Sequence, residues 1–489
     1  MKEVFSIIFL ILTFLTWPKS IRSQETTLSL NDAISIAQNR SIIKTQSLRE
    51  YERADNQLNL LQARLNPQLS LNANAPNFYK SSSAVVQPNG SISFQPISQD
   101  NSLLKLQLSQ KILTTNTTLF AEGNIQRYQD FEGAFTSFNT VPFRLGIEQP
   151  LHHVNYDLWN QKFYQLDRKI ARKKLTVSSE KIAADVTAAY FQVLTAQIDE
   201  EIARTNIENN QKLYEIAKER FELGKISKSD LLQLELGLSS AAQNKMKATR
   251  ALISSNADLK EAMNKNLSTD DFINVLTPEI PELQPIDPTR AANLAWENRP
   301  EQLEYKKLVL EAEQAMEIAD RENGWQTILR ASIGFTGSGN TFGESYSQPK
   351  YETRIEVGVN IPLMDGKKRK LSKEDAKSNY VYNKTENEFS ELTFKQNIRQ
   401  LVLQFNQLQK EAGQALNSYE IARQRYDIVN QRYVLNDISI TDLSLAFGER
   451  DLAWRNYINL LRAYWITYYS IRQLTLFDFE EGQIINYSL

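Results

Sequence analysis

The sequence predicts an α+β membrane protein in which one arrangement of short helices, strands and a long helical hairpin occurs twice. The run RFELGKISKSDLL from Arg220 aligns with RYVLNDISITDLS from Arg432, at a spacing of 212 positions (432 minus 220). A second pairing, NRS from Asn39 with NRP from Asn298, has a spacing of 259 (298 minus 39). The hydrophobic period also switches between helix-like and strand-like segments in both copies. The chain therefore has two internal repeats, and the first carries about 47 extra residues (259 minus 212).

Composition and charge exclude several classes of protein. The 489 residues carry a formal net charge of −2 with acidic and basic residues mixed, so nucleic acid is not an expected partner. The sequence has no cysteine, which in an exported protein excludes disulfides and lipidation through a cysteine thioether. Beyond the N-terminus, no stretch approaches the roughly 18 apolar residues of a transmembrane helix. Contact with a membrane interior is therefore expected through strands.

Residues 1–23 are predicted to be a signal peptide. Lys2 precedes an apolar run from Phe5 to Trp17, and Pro18 and a short polar stretch follow it. The run has the length of a signal core and is too short to span a membrane. We expect export, with cleavage near Ser23.

The two repeats are predicted to have the same order of elements. Ser29 or Asn31 can cap the first helix and Pro67 ends the second, because proline interrupts a helix. The first repeat, 24–284, comprises short helices at 29–66, strands at 67–151 and a helical hairpin at 153–265 with its tip near 224–229. The second repeat, 285–489, comprises helices at 288–323, strands at 325–363, a helical hairpin at 367–475 with its tip near 436–441, and a C-terminal tail at 476–489.

Six segments alternate between apolar and polar residues, which is the pattern of a strand. An ordinary half-buried sheet shows the same alternation. Six segments of about ten residues in an exported chain, with aromatic residues near their ends, favour a lipid-facing barrel instead. The apolar positions of the six segments begin at Leu69, Leu104, Leu119, Phe143, Leu329 and Ile355, and the aromatic residues are Phe120, Tyr128, Phe143, Phe335 and Tyr351.

The long segments are predicted to be coiled-coil helices that turn back at matched tips. From about 155 to 221 the chain has no proline or glycine and a narrow apolar stripe, and a helix of this length would be about 100 Å long. Gly224 can supply the left-handed residue that ends the first helix, and Asn436 stands at the same place in the second copy. Ser227 or Ser229, and Ser439 or Thr441, can cap the return helices.

The order of these features resembles the TolC family of outer-membrane efflux proteins. The family marks the return from barrel to helix with a proline-leucine pair, found here in EQPLHH from Glu148 and in IPLMDGKKRK from Ile361. The resemblance implies a homotrimer in the outer membrane of a Gram-negative cell. Its strands would form one transmembrane β-barrel, continued by a long periplasmic α-helical barrel of coiled-coil hairpins. The implied partners are a periplasmic adaptor (membrane fusion) protein, an inner-membrane pump and outer-membrane lipid.

The resemblance also assigns roles to the hairpin tips. Asp442 falls on a family aspartate that rings the narrowest point of the closed tunnel, and Tyr433 falls on a tyrosine that bridges to an aspartate on the first hairpin, here Asp230. The plainer alternative is that both aspartates are solvated residues in the first turn of a helix, where the dipole favours them. Ile438 replaces the arginine of the family's latch. Asp437 is a further gate candidate, and the residues expected to dock an adaptor are Gly224, Lys225, Ile226, Ser227, Asn436 and Ser439.

The sequence shows no arrangement of residues for catalysis. His152 and His153 are the only histidines, with Asp157 as the one carboxylate at helical spacing, so we expect no metal site and no cofactor. A nucleophile motif, a phosphate loop and paired catalytic carboxylates are absent, so an enzyme is not expected. The expected function is the exit duct of an efflux system for small molecules. The exit duct of a type I protein secretion system remains open, as does a periplasmic adaptor or coiled-coil scaffold.

Overall fold

The computed structural model describes residues 26–264, 272–281, 284–435, 437–438 and 440–487. The chain folds into two compact units. The first comprises the described parts of 1–46, 175–298 and 395–489, and the second comprises 47–174 and 299–394. Each unit thus draws residues from both predicted repeats. The predicted signal peptide lies outside the described residues.

Helices and strands alternate as an α+β fold, which confirms the α+β part of the predicted class. None of the helices in the described part of the chain combines the length and apolar character needed to cross a membrane. In chain order the elements are β1 (Thr26–Leu28), α1 (Leu30–Arg40), α2 (Ile42–Leu65), β2 (Gln68–Asn74), β3 (Phe78–Val86), β4 (Ile92–Ile112), β5 (Thr117–Asp130), β6 (Phe135–Pro150), α3 (Tyr156–Glu222), α4 (Lys228–Ala262), β7 (Ile273–Val275), α5 (Pro288–Asn298), α6 (Pro300–Arg321), β8 (Gln326–Gly339), α7 (Phe342–Ser347), β9 (Lys350–Asn360), α8 (Lys368–Val434), α9 (Ile440–Thr475), β10 (Phe477–Asp478) and β11 (Gln483–Ile484).

The first unit has a helical core rich in aromatic side chains. Tyr464 and Tyr468 of α9 are fully buried, and their rings pack on Phe405 of α8 at centroid distances of 4.9 and 6.0 Å. Tyr190 of α3 is also buried, and its hydroxyl donates to the carbonyl oxygens of Leu28 and Leu276 at 2.9 and 2.6 Å. The helix thereby holds the short parallel pair of β1 and β7.

The second unit contains a seven-stranded antiparallel sheet. Its order is β2-β4-β5-β6-β8-β9, and β3 also pairs with β4. The 21-residue β4 is long enough to pair with β3 along its first half and with β2 along its second half. β2 and β3 therefore occupy one position at the edge of the sheet, which has six strand positions in all. The six alternating segments lie in β2, β4, β5, β6, β8 and β9.

The predicted extra residues of the first repeat include the segments Leu103 to Ile112 and Thr118 to Tyr128, and both segments lie within this sheet. The end of β4 and the start of β5 form a hairpin whose turn includes Asn116 in the left-handed conformation, with φ of 60°. Beyond the hairpin, β5 pairs with β6 over most of its length. The hairpin is thus a continuous part of the sheet, flanked by β2 and β6.

Candidate functional site

One face of the sheet is apolar and exposed. Residues directly opposite on paired strands point to the same face, and the register places Leu71 opposite Leu106 and Phe143 opposite Phe335. Leu106 is 49% exposed and Ile355 is 72% exposed. Large apolar side chains exposed on every strand position form a surface that a soluble monomer rarely presents. We refer to this surface as the apolar band; its exposed members include Leu69, Leu71, Leu104, Leu106, Leu108, Leu119, Phe143, Leu145, Ile147, Ile333, Phe335, Tyr351, Ile355, Val357 and Val359.

The opposite face carries a ladder of ion pairs across neighbouring strands. Glu122 of β5 accepts from Lys105 of β4 at 2.6 Å and from Arg144 of β6 at 3.0 Å. Arg144 also reaches Glu352 of β9 at 2.6 Å. Strand β8 lies between them, and Gly334 leaves the space that this crossing needs, since a Cβ there would stand 2.9 Å from the Arg144 Cβ. A polar face opposite an apolar one suits a sheet that separates water from lipid.

The register divides the aromatic residues of the predicted strands between the two faces of the sheet. Phe120 and Tyr128 lie on the polar face, because each is one residue out of step with the apolar positions of β5. The ring of Phe120 covers Gly146, and the Tyr128 hydroxyl bonds to Gln99. Phe143, Phe335 and Tyr351 do belong to the apolar band. Alternation fixes a side chain's face only when the register is known to one residue.

The first hairpin tip is a pair of local caps. Gly224 has φ of +70°, and its N–H donates to the Phe221 carbonyl while the Lys225 N–H donates to that of Arg220, which is the Schellman pattern. At the start of α4, Ser227 and Asp230 form a capping box. The Ser227 hydroxyl donates to the Asp230 carboxylate at 2.8 Å and lowers the pKa of Asp230. Lys225 is exposed and Ile226 half-buried.

The second tip repeats part of this geometry. The Asp437 N–H donates to the Arg432 carbonyl at 3.0 Å, the bond that corresponds to Lys225 and Arg220 in the first copy. The Asp437 carboxylate also pairs with the Arg432 guanidinium at 2.9 Å. Ile438 is half-buried. The predicted docking residues Asn436 and Ser439 lie outside the described residues.

Tyr433 and Asp442 stand on either side of this tip. Asp442 lies exposed in the first turn of α9. Tyr433, near the end of α8, lines a groove of about 500 Å³ together with Leu213, Ile216 and Phe447. Among the described residues the Asp230 carboxylate accepts from Ser227, and no hydrogen bond joins it to Tyr433. The bridge between Tyr433 and Asp230 therefore stays a prediction for the assembled protein.

The two histidines sit where the sheet passes into α3. His152 stacks on Trp325, with ring centroids 4.7 Å apart. Two of their ring nitrogens, His152 Nε2 and His153 Nδ1, are shielded from solvent and have no hydrogen-bond partner among the described residues. Within the described ranges, no group of three or more histidine, aspartate or glutamate side chains is placed to hold a metal ion.

The first unit contains a buried ion network that the sequence does not predict. Glu180 of α3 is fully buried and accepts from Arg472 of α9 at 3.1 Å and from the Tyr487 hydroxyl at 2.7 Å. Arg472 also pairs with Asp478. Burial alone would lower the pKa of Arg472, but the two carboxylates outweigh it and raise that pKa. The network joins residues about 300 positions apart, so no local pattern in the sequence predicts it.

Comparison of the sequence with family models gives one match. The outer membrane efflux protein family matches residues 35–265, a range that covers the sheet strands of the first repeat and the first helical hairpin. A comparison with curated proteins finds no match.

Solved structures with the same fold are outer-membrane proteins. The Campylobacter jejuni CmeC outer membrane channel has a TM-score of 0.64 at 14% identity, with 94% of this chain and 87% of that chain covered. The Vibrio cholerae outer membrane protein VceC has a TM-score of 0.60 at 13% identity, with 91% and 95% covered. The open state of the Neisseria gonorrhoeae MtrE outer membrane channel has a TM-score of 0.59 at 14% identity, with 94% and 93% covered. At these identities the likeness is one of fold.

Proposed function

We propose that this chain is a member of the outer membrane efflux protein family, whose model matches residues 35–265, and that three copies form the outer-membrane exit duct of a tripartite efflux system. The strands of the three copies close one barrel with the apolar band toward lipid, and the helical hairpins continue it into the periplasm. Small molecules pass outward without chemical change. A channel family also agrees with the expectation that the chain is not an enzyme.

The two-faced sheet is the observation that carries this proposal. Six strand positions present apolar side chains on one face, and β4, β5, β6 and β9 carry paired charges on the other. Among the described strands, both edges of the sheet, β9 and the position of β2 and β3, are open. Open edges expose backbone groups that must be paired inside a bilayer. Neighbouring copies joined edge to edge satisfy those groups, and six positions from each of three copies make an even, closable number.

The partners are proposed from the tips. An adaptor protein would dock on Lys225, Ile226 and their neighbours, and the pump would connect through it. A protein secretion duct would use the same surfaces, so the geometry favours neither cargo. An adaptor or scaffold is disfavoured because one helical hairpin would suffice for it and a sheet with an exposed apolar band would have no use.

Membrane fractionation together with gene deletion tests the proposal. The protein should partition into the outer membrane and migrate in a folded, heat-resistant form in detergent gels. Deleting its gene should raise the accumulation of small fluorescent dyes in cells. Loss of a secreted polypeptide from the medium with unchanged dye accumulation would favour protein secretion, and a soluble periplasmic location would contradict both ducts.

A further inference from the structure

The short helix α7 lies on the apolar side of the sheet, just beyond the band. Phe335, Gly337 and Gly339 alternate along β8 and so share one face, and Thr140 and Phe138 are their partners on β6. The helix packs on this row of β6 and β8. The Thr140 hydroxyl, fully buried, donates to the Ser345 carbonyl at 2.8 Å.

The contact between α7 and the sheet is fixed in place. A Cβ on Gly337 would collide with the Ser345 carbonyl oxygen, so only glycine lets the helix approach this closely. Thr341 and Glu344 form a capping box in which each side chain accepts a backbone N–H at 3.3 Å. Glu344 also accepts from the Asn340 N–H at 2.9 Å. The helix is thus fixed at its N-terminus by the capping box and on its sheet-facing side by the contact with β6 and β8.

Two aromatic side chains of α7 are exposed. Phe342 is 51% exposed and Tyr346 is 38% exposed, and their rings lie 5.1 Å apart. Phe342 also meets Phe138 edge-on at 6.3 Å. The next row of the sheet toward the band contains Phe335 and Tyr351, whose rings are 6.1 Å apart. The aromatic surface of α7 therefore continues the apolar band.

We propose that α7 is an interfacial anchor whose Phe342 and Tyr346 rest at the boundary between lipid headgroups and acyl chains in the outer leaflet. This inference rests on the proposed function. α7 connects β8 to β9 at the ends of these strands that are farthest from α6 and α8. This position places α7 at the extracellular end of the proposed barrel. The Phe342 ring beside the Tyr346 ring, which carries a polar hydroxyl, suits this depth, because apolar acyl chains lie on one side of it and hydrated headgroups on the other.

The position of α7 favours lipid over a second copy of the chain. The helix packs on β6 and β8, two interior strands. A neighbouring copy would join at the edges of the sheet, which are β9 and the position of β2 and β3. The surface of α7 is also continuous with side chains that meet lipid in the proposed barrel.

Spin labels at single cysteines test the anchor, because the natural chain has no cysteine. Phe342→Cys and Tyr346→Cys are labelled in the full-length protein reconstituted in phospholipid vesicles. Collision with lipid-soluble oxygen and with a water-soluble nickel complex is then measured. The controls are Leu106→Cys in the band, Gln107→Cys on the polar face, and Glu132→Cys in the exposed turn between β5 and β6 at the same end of the sheet.

The expected oxygen-to-nickel collision ratios at 342 and 346 fall between those at 106 and 132. Ratios equal to that at 132, with 106 in lipid, would place α7 in water and overturn the inference while leaving the duct intact. Labels at 342 and 346 that neither reagent reaches would show a protein covering and also overturn it. A ratio at 106 equal to that at 107 would refute the lipid-facing sheet, and with it both proposals.

Discussion

Asp442 is the residue that we expect to set the ion preference of the proposed duct. Three copies would bring three of these carboxylates to one mouth, where like charges couple their titrations and attract cations. Asp442→Asn should therefore weaken cation preference or block by divalent cations in planar bilayers. Asp437→Asn makes the same change in charge on the same tip, five residues earlier, and should have the smaller effect. Equal effects of the two substitutions, or unchanged selectivity in Asp442→Asn, would mean that the ring of three carboxylates does not consist of Asp442.

Tyr433 is expected to hold the tips closed. Ile438 removes a charge-assisted hydrogen bond from the latch, a type worth about 1.5 to 3 kcal/mol, so the proposed bridge from Tyr433 to Asp230 carries more of the closing energy. Tyr433→Phe should raise single-channel conductance. Tyr426→Phe, two turns earlier on α8, serves as the control because the Tyr426 ring packs on Arg450 and Phe447. Conductance that rises in neither variant, or alike in both, would contradict the bridge.

Ser227 stabilises the first tip through its capping box. Loss of a helix cap costs about 1 kcal/mol, so Ser227→Ala should speed amide hydrogen exchange at the start of α4. Ser229→Ala, in the same turn, should leave it unchanged. The lowered pKa of Asp230 means that the stabilisation contributed by the Asp230 carboxylate is present above the ordinary pKa of about 3.9. It is lost as the pH falls through the lowered value. Equal exchange in the two variants at neutral pH would argue against the cap.

At the scale of elements, the sequence predicts whatever has a sustained period. The 67-residue helices α3 and α8 and the strands of the apolar band follow from their periodicity. β3 escaped because its run of three serines, Ser81 to Ser83, hides any alternation. The six-residue α7 is too short for a helical period. Its one signal is the capping pattern of Thr341 and Glu344.

The residues of the candidate site are likewise predictable from the sequence where their contacts are local. The cap roles of Gly224 and Ser227 could be predicted because they depend on neighbours in the chain. The crossing of Arg144 over Gly334 joins three strands, and the Glu180 network joins residues about 300 positions apart. Such contacts depend on tertiary packing, which no local pattern encodes. The roles proposed for Asp442 and Tyr433 depend on an assembly that one chain does not contain.

The hairpin of β4 and β5 decides the size of the proposed barrel. Because it lies inside the sheet between β2 and β6, we expect 18 strands from three copies rather than the family's 12. Cysteines at Leu106 and Leu108 should react only with lipid-phase probes, and one at Gln107 with water-soluble probes. If all three positions react alike from water, the hairpin stands outside the membrane.

At the scale of the whole molecule, the proposed duct requires more than one copy of the chain. The apolar band and the open edges of the sheet would be costly to leave in water. A complex of three copies is therefore expected in mild detergent, as measured by native mass spectrometry. A stable, folded monomer would contradict it.

Single-channel recording of that purified complex in planar bilayers tests the central claim most directly, because it asks whether the assembly is a continuous path across a membrane. We expect discrete conductance steps from a preparation whose only folded species is the trimer, and larger steps when Tyr433→Phe loosens the tips. Folded trimers that insert into the bilayer but conduct no ions, in the natural form and in Tyr433→Phe alike, would show that the assembly is not a duct.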